Sequence, residues 1–366
     1  MKAAVVYETG KPLEIADMTT RALGDRDVRV RMGAAGLCHS DVSVQSGALP
    51  WPLPMVLGHE GAGTVEEVGR LVTHVAPGDH VAMSAVLNCG ACRYCLNGTP
   101  TLCSWGRPFM FESIAPDGPE RAVDADGRGL RQMCCLGTMA DEVIIAGNAA
   151  IKIPKEVPFQ VAAVAGCAVS TGLGAVFRKA KVHPGSTVAV IGCGGVGLNV
   201  VQGARIAGAL RIIAIDPVAS KRELAGQFGA TDQLDPTAGD VVAQVLELTG
   251  GIGADYVIES VGSPQVVEQA WNMAGVDGTI VVLGLPDPTA TVSLNIAAMT
   301  LSQKNLTSAF YGSGRAGQDI PTYLDMYLRG VLKIDELITT TYKLDQINEA
   351  IHDLHAGVNA KGAVLF

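Results

Sequence analysis

Four cysteines at short intervals are the most specific chemical feature of the sequence. Cys89, Cys92, Cys95 and Cys103 form the pattern C-x2-C-x2-C-x7-C. Four thiolates on one loop fill a tetrahedron around zinc and leave no open position, which is typical of a structural zinc site. An iron–sulfur cluster is the alternative, but the uneven last interval and the lack of other redox motifs in the sequence argue against it.

A second set of possible metal ligands is dispersed along the chain. It comprises the segments 38–41 (CHSD), 58–60 (GHE) and 166–167 (GC). Two thiolates and one imidazole would supply three protein ligands and leave the fourth zinc position for water or substrate, as a catalytic site requires. The spacing of these segments cannot by itself show that they converge.

A glycine-rich turn predicts a dinucleotide site. The segment Gly192-Cys193-Gly194-Gly195-Val196-Gly197 fits G-x-G-x-x-G, follows the apolar run TVAVI and precedes a helical pattern. Such glycines allow a tight turn and a close approach to a pyrophosphate, which the helix N-terminus then binds.

Asp216 ends the next apolar run, RIIAI, about 20 residues beyond the last glycine of the motif. Its carboxylate can accept hydrogen bonds from the adenosine ribose hydroxyls and would repel the 2′-phosphate of NADP, so the sequence predicts NAD. Lys221 could reach the same ribose, or could lie on a solvated helix face.

The elements around these motifs change in character along the chain. Up to about residue 155 short alternating runs, such as 28–32, 61–69 and 79–85, predict a β-rich region. From about residue 168 apolar runs alternate with helical patterns, which predicts a doubly wound parallel sheet of the Rossmann type. In this region and beyond it the predicted strands are 187–191, 211–215, 255–259, 279–283 and 362–366, and the predicted helices are a segment to about 207, 220–228, 238–249, 264–274 and 347–354.

Composition limits the possible partners and compartments. The 366 residues are 48% hydrophobic and 17% charged, and the formal net charge is −9. This charge argues against nucleic acid or an anionic membrane as a partner. We expect a reducing, cytoplasmic location, since the first 18 residues lack the apolar core of a secretion signal. The uncharged stretch 157–177 is rich in small residues and contains Pro158, so we interpret it as a buried helix rather than a membrane span.

The motifs together resemble those of the zinc-dependent medium-chain alcohol dehydrogenases over essentially the full length. The segments that carry the resemblance are 36–41, 58–69, 89–103, 166–175 and 192–216, and the class III type, the glutathione-dependent formaldehyde dehydrogenases, and related bacterial alcohol dehydrogenases are the most similar. The resemblance implies a Rossmann domain, 168–308, inserted into a β-rich GroES-like catalytic domain formed by 1–167 and 309–366. It also implies two zinc ions per subunit, NAD as cofactor and a homodimer.

The resemblance also assigns roles to individual residues. Cys38, His59 and Cys167 are implied as catalytic-zinc ligands, Glu60 as an acid that can approach the metal, and Asp41 as the partner that holds the tautomer of His59. Ser40 would take the proton of the alcohol, and Ser43 stands where relatives often have a terminal histidine, so water or Ser43 would complete the relay. The implied cofactor contacts are His39, Thr171, Gly192, Gly194, Gly195, Val196, Gly197, Asp216, Lys221 and Lys361.

The substrate is predicted from the expected pocket. Arg107 matches an arginine that binds the glutathione adduct in class III enzymes, but the loop 48–54 lacks their acidic partner. We therefore predict oxidation of medium-length or aromatic primary alcohols, or the reverse reduction of aldehydes. The expected pocket residues are Trp51, Leu53, Ala85, Arg107, Cys135, Leu136 and Leu285. A thiol-adduct formaldehyde dehydrogenase is the first alternative, followed by a polyol or amino-alcohol dehydrogenase and a non-catalytic NAD-binding or structural protein.

Overall fold

The computed structural model describes residues 1–115, 118 and 120–366. Their contacts define two compact units, of which the first comprises Met1–Ser170 and Arg315–Phe366 and the second comprises Thr171–Gly314. The sequence patterns placed the boundaries after residues 167 and 308, whereas the contacts place them after Ser170 and Gly314. The first boundary falls inside a continuous helical segment, where no turn residues mark it.

The strands pair mainly antiparallel in the first unit and parallel in the second. In chain order they are β1 (Lys2–Val6), β2 (Glu14–Thr20), β3 (Asp27–Gly36), β4 (Met55–Val56), β5 (Gly61–Val68), β6 (His80–Met83), β7 (Ala122–Asp124), β8 (Gly129–Gln132), β9 (Glu142–Ala146), β10 (Ala150–Lys152), β11 (Thr187–Ile191), β12 (Arg211–Ile215), β13 (Asp232–Leu234), β14 (Ala254–Glu259), β15 (Ala274–Val282), β16 (Asn305–Ser308), β17 (Thr340–Tyr342) and β18 (Gly362–Leu365).

The helices are divided about equally between the two units. In chain order they are α1 (His39–Ser46), α2 (Arg93–Leu96), α3 (Gly106–Glu112), α4 (Phe159–Val164), α5 (Ser170–Gly174), α6 (Gly195–Ile206), α7 (Ala219–Phe228), α8 (Val241–Leu248), α9 (Pro264–Met273), α10 (Ile296–Ser302), α11 (Ala316–Leu328) and α12 (Ile347–His355).

The first unit is built from a small closed barrel and a larger sheet. The barrel order is β1-β2-β7-β8-β4, and the sheet order is β10-β6-β5-β3-β18-β17, with β9 also paired to β3. In β3 the side chains of Val28, Val30 and Met32 are buried, as the alternating pattern predicts. The intervening Arg29 and Arg31 form ion pairs with glutamates of neighbouring strands.

The second unit is a parallel six-stranded sheet flanked by helices. Its order is β13-β12-β11-β14-β15-β16, which confirms the predicted doubly wound fold. The expected strand 279–283 is Ala274–Val282, and the expected helix 238–249 is Val241–Leu248. That helix begins at Val241 because the side chain of Asp240 caps its first turn by accepting from the N–H groups of Val242 and Ala243. The edge strand β16 was not predicted, since four residues are too few to show a period.

One long helical segment, Phe159–Ala180, is interrupted by two π turns at Ala165–Val169 and Ala175–Ala180. Among the described residues it is the one helix that is long and apolar enough to cross a membrane, and 89% of its most apolar stretch is buried inside the protein. This burial fits the predicted core helix.

Candidate metal centre and cofactor site

Three strands bring distant parts of the chain to one edge of the larger sheet. Strands β3 and β5 are antiparallel, with Ala35 opposite Gly61, so the residues after β3 lie beside those before β5. Strand β18 is also antiparallel to β3, with Ala363 opposite Gly36. The residue before β18 therefore reaches the same edge.

The first π turn of the long helical segment contributes the fourth part of this edge. Gly166 packs so closely on the carbonyl oxygen of Met83, the last residue of β6, that an added Cβ would collide with it. Since β6 is paired with β5, the following residue, Cys167, comes next to the start of β5. π turns of this kind are frequent at functional sites.

Four potential ligands converge at this edge. Cys38, His59, Glu60 and Cys167 each offer one ligand atom, and these atoms all lie within 4.8 Å of one another. Asp41 lies behind them: its Oδ1 is 3.4 Å from Nδ1 of His59, and its Oδ2 accepts a 2.8 Å hydrogen bond from the N–H of Cys38. Such a carboxylate fixes the orientation and tautomer of a ligand imidazole.

The two thiols of this group differ in acidity. A hydrogen bond with Cys167, reinforced by the nearby His59, holds the pKa of Cys38 well below its usual value. The same hydrogen bond and burial raise the pKa of Cys167 well above its usual value. Two thiols and an imidazole form a donor set that suits zinc, and Glu60 or a small molecule would be the fourth group.

Glu60 is paired with a buried lysine. Its Oε1 accepts a 2.6 Å hydrogen bond from Nζ of Lys361, which also donates to the carbonyl of Leu37 at 2.6 Å. Burial raises the pKa of Glu60 to about 7, against the lowering effect of Lys361. Burial alone would lower the pKa of Lys361, but Glu60, Cys38 and Cys167 together outweigh it, so the pKa is raised.

The hydroxyl and imidazole groups predicted to serve the proton and the cofactor lie on α1. Ser40 is half-buried, with Oγ 3.8 Å from Sγ of Cys38. Ser43 is half-buried one turn further along, and His39 is exposed.

The four-cysteine loop forms the second candidate metal centre. The ligand atoms of Cys89, Cys92, Cys95 and Cys103 lie within 4.8 Å of one another. Backbone N–H groups point at the sulfurs, for example from Gly106 to Cys103 at 3.3 Å. Backbone hydrogen bonds lower the pKa of Cys92 to about 5. The loop is thus preorganised for thiolate ligands, and it fits a closed zinc site.

The glycine-rich turn joins β11 to α6 in the second unit. Gly192 has φ of +89°, in the left-handed region. A Cβ on Gly197 would collide with the carbonyl oxygen of Gly192, whereas a Cβ on Gly194 would meet nothing within 4 Å. Gly197 is therefore needed for the turn itself. Gly194 leaves space above the start of α6, whose N-terminal N–H groups favour an anion.

Asp216 lies at the end of β12 and connects two loops. Its Oδ2 accepts from the N–H of Cys193 at 2.8 Å, and its Oδ1 accepts from the N–H of Val218 at 2.9 Å. The carboxylate thus lies beside the glycine-rich turn, where an adenosine ribose would be bound. Lys221 lies half-buried on α7, and Thr171 is buried at the start of the second unit.

The predicted pocket residues are in different environments. In the first unit Ala85, Cys135 and Leu136 are buried, and Trp51 and Leu53 are half-buried. Arg107 is exposed and lies over the ring of Phe111, 5.5 Å from its centroid. In the second unit Leu285 is 58% exposed. Their assignment to a substrate pocket stays a prediction.

The sequence did not reveal three contacts. Phe111 lies between two predicted pocket residues, because its ring also meets that of Trp51 at 6.4 Å. Oγ of Ser260 donates to the carbonyls of Ile191 and Gly192 and so supports the glycine-rich turn. The pairing of Lys361 with Glu60 joins distant parts of the chain. Only the position of Ser260, directly after a predicted strand, could have indicated its contact.

Comparison with known proteins identifies the family. Residues 24–155 match the family described as alcohol dehydrogenase GroES-like domain, and residues 195–329 match zinc-binding dehydrogenase. An NDMA-dependent alcohol dehydrogenase from Amycolatopsis methanolica is 41% identical, over 100% of this chain and 98% of the relative. The chain belongs to the zinc-binding medium-chain alcohol dehydrogenase family.

Other members of the alcohol dehydrogenase family are similar over their whole length. The S-(hydroxymethyl)glutathione dehydrogenase of Saccharomyces cerevisiae is 36% identical, over 97% of this chain and 93% of that protein. The crystal structure of benzyl alcohol dehydrogenase from Acinetobacter calcoaceticus has a TM-score of 0.94 and 33% identity, and the match covers 100% of this chain and 99% of that one. The predicted family, fold and enzyme class are confirmed, and a small-molecule alcohol or aldehyde is the substrate of this alcohol dehydrogenase.

Proposed function

We propose that this alcohol dehydrogenase oxidises medium-length or aromatic primary alcohols to aldehydes, or performs the reverse reduction, with NAD as the hydride carrier. The observation that carries the proposal is the convergence of Cys38, His59 and Cys167 with Glu60 at one sheet edge. Three soft or borderline ligands are the donor set of an open, catalytic zinc site.

Each residue near the metal has a separate task in the proposed reaction. Bound zinc would act as a Lewis acid that makes the alcohol easier to ionise, and NAD would accept the hydride. Ser40, close to Cys38, accepts the proton of the alcohol hydroxyl, and Ser43 or water passes it on. The carboxylate of Asp41 lies 3.4 Å from Nδ1 of His59, where it would orient the ring so that the other nitrogen stays available to the metal.

The choice of NAD rests on Asp216. Its carboxylate lies against the backbone of the glycine-rich turn. A fixed negative charge there accepts hydrogen bonds from ribose hydroxyls and repels a 2′-phosphate. The A. methanolica relative is described as NDMA-dependent, so assays should supply NAD and NDMA separately and together.

The substrate class rests on the uncharged loop and on structural similarity. The loop 48–54 carries no charged side chain, and the similar Acinetobacter structure is a benzyl alcohol dehydrogenase. A panel of alcohols tests this proposal, with kcat/KM for benzyl alcohol expected above that for ethanol. If ethanol is equal or better, the proposal of a roomy apolar pocket is wrong.

A thiol-adduct formaldehyde dehydrogenase is the second candidate function. It is favoured by the similarity to S-(hydroxymethyl)glutathione dehydrogenase and by the exposed guanidinium of Arg107. The loop 48–54, without an acidic group for the ammonium of a glutathione adduct, disfavours it. Formaldehyde oxidation measured with and without glutathione distinguishes the two: strict dependence on the thiol would favour the second candidate.

We also propose that the enzyme is a cytoplasmic homodimer. The free state of all nine cysteines supports a reducing compartment. In the second unit, the edge strand β16 and the exposed apolar helix α10 support association of two copies.

A further inference from the structure

Glu60 forms a buried ion pair with Lys361. Its place among the potential metal ligands does not explain why it is paired with a lysine. Glu60 is fully buried, and Lys361 is 3% exposed. The ammonium has two short contacts, one to Glu60 Oε1 and one to the carbonyl of Leu37. Both acceptors belong to the protein. Lys361 therefore contacts protein groups, whereas the family resemblance implied that it contacts the cofactor.

The second oxygen of Glu60 is held by packing rather than by hydrogen bonding. Among the described residues Oε2 has no hydrogen-bond partner although it is buried. It lies against Gly36, where an added Cβ would collide with it. One carboxylate oxygen of Glu60 is therefore hydrogen-bonded to Lys361. The other oxygen lies against Gly36.

The charges around the metal site explain why Glu60 is paired with Lys361. Two thiolates of Cys38 and Cys167 would balance the charge of a bound zinc ion, so the buried carboxylate of Glu60 needs its own counter-ion. Lys361 supplies this counter-ion, so that Glu60 has a positive partner other than the metal. Without that cation, the nearest positive charge for Glu60 would be the metal, and the carboxylate would fill the position that a substrate needs.

We propose that Lys361 is a positioning residue that holds Glu60 away from the metal and so keeps the fourth coordination position open. Gly36 completes the arrangement, because its missing side chain makes room for Oε2. The inference builds on the zinc site of the proposed function, but it concerns the metal ligands and needs neither an alcohol nor NAD for its main test.

The main test is Lys361→Met in protein loaded with Co²⁺ in place of zinc, since the visible absorption of Co²⁺ reports its ligands. The four-cysteine site absorbs alike in all variants, so difference spectra isolate the other site. We expect a changed spectrum as Glu60 joins the metal, an unchanged Kd for NAD, and kcat/KM for alcohol lower by about 10–100-fold, the usual range for residues that support metal ligands.

Three further variants show whether Lys361 acts through Glu60. Lys361→Arg should restore most of the original spectrum. In a Glu60→Gln background, Lys361→Met should have little further effect. As a matched control, Lys152→Met removes an exposed lysine paired with Asp79 and should leave spectrum and activity unchanged.

Gly36→Ala provides an independent route if Lys361→Met does not fold. It displaces Glu60 by contact while Lys361 remains, and we expect a changed Co²⁺ spectrum. The proposal is overturned if Gly36→Ala or a folded Lys361→Met leaves the spectrum unchanged, or if Lys361→Met changes it equally in the Glu60→Gln background. A weakened Kd for NAD without a spectral change would also overturn it and assign Lys361 to the cofactor. A parent protein that binds two metals but oxidises no alcohol would instead refute the proposed function.

Discussion

Asp216 combines a structural and a selective role in one carboxylate. Its two oxygens accept from the N–H groups of Cys193 and Val218, so it ties the glycine-rich turn to the loop after β12. The same charge would lie at the adenosine ribose. Variants of Asp216 must therefore be chosen so that the loss of hydrogen bonds can be distinguished from the loss of charge.

We predict that Asp216→Gly shifts cofactor preference towards NADP. Removing the charge removes the repulsion of the 2′-phosphate, and the ratio of kcat/KM for NADP to that for NAD should rise by about tenfold or more, equal to about 1.4 kcal/mol. Steady-state kinetics with both cofactors measure it. Asp216→Asn is the matched variant, because it keeps an acceptor oxygen without the charge. A parent enzyme that already prefers NADP would contradict the interpretation of Asp216.

The turn between β11 and α6 contains one glycine that the fold requires and one that the fold does not require. Gly197 is required by the protein, because a side chain would collide with the carbonyl of Gly192. Gly194 has open space around its Cβ position. Its backbone φ is −81°, so alanine is tolerated there.

This difference predicts opposite results for two alanine variants. Gly197→Ala should lower the free energy of unfolding by about 1–3 kcal/mol, as overpacking does. Gly194→Ala should keep the parent stability but raise the Kd for NAD by about tenfold or more, equal to about 1.4 kcal/mol, because its methyl group would meet the pyrophosphate. Thermal unfolding and NAD titration measure both. Unchanged NAD binding in Gly194→Ala would mean that the pyrophosphate does not approach this residue.

The four-cysteine loop contains little of its own hydrophobic core, so the metal should stabilise it. We predict that Cys103→Ser reduces the zinc content from two to one per subunit. It should also lower Tm by about 5 °C or more, since each kcal/mol corresponds to about 2–4 °C for domains of 150–250 residues. Metal analysis and thermal unfolding measure these effects. Cys134→Ser, at a buried cysteine outside both ligand sets, should retain both zinc ions. Equal zinc loss in the two variants would refute the assignment.

Elements with a clear period were predictable, and contacts between distant elements were not. The strands at Thr187–Ile191 and Arg211–Ile215 match their predicted bounds, since a buried parallel strand is a short apolar run between turns. The π turn that carries Cys167 has no such signature, because the segment is apolar on every side. Spacing likewise could not show that Lys361 meets Glu60, since that contact depends on the pairing of β18 with β3.

At the scale of the whole molecule, the notable surface is an exposed apolar area on the second unit. Ile296 and Leu301 of α10 are 79% and 82% exposed, and β16 forms the open edge of the parallel sheet. Soluble monomers rarely expose large apolar side chains beside an edge strand of a sheet. A second copy could add its own β16 to this edge and cover the helix.

We predict that Ile296→Asp combined with Leu301→Asp converts the proposed dimer to a monomer, because each buried side chain of this type contributes about 1.5–3 kcal/mol. Light scattering after size-exclusion chromatography measures the mass. Leu210→Asp is the matched control, since Leu210 is 77% exposed in the same unit but distant in sequence from α10; it should remain dimeric. A parent protein that is monomeric, or a dimeric double variant, would refute this interface.

The βαβ series begins and ends within one continuous part of the chain, which is why the sequence indicates an inserted domain. The contacts place the change of unit inside a helical segment, where the sequence has no turn residues to mark a boundary. The two predicted pocket residues Leu136 and Leu285 differ in exposure, since one is fully buried and the other is 58% exposed. Their assignment to a substrate pocket stays a prediction.

The long sequence separation within the first unit has a consequence for how the enzyme is made. The hydrogen bond from Lys361 to Leu37 joins residues 324 positions apart, and β18 must pair with β3 before the lysine reaches Glu60. While the chain is still emerging from the ribosome, the cysteine loop can therefore receive its zinc early. The other centre cannot take its final form until residues 361–365 have been synthesised and β18 has paired with β3.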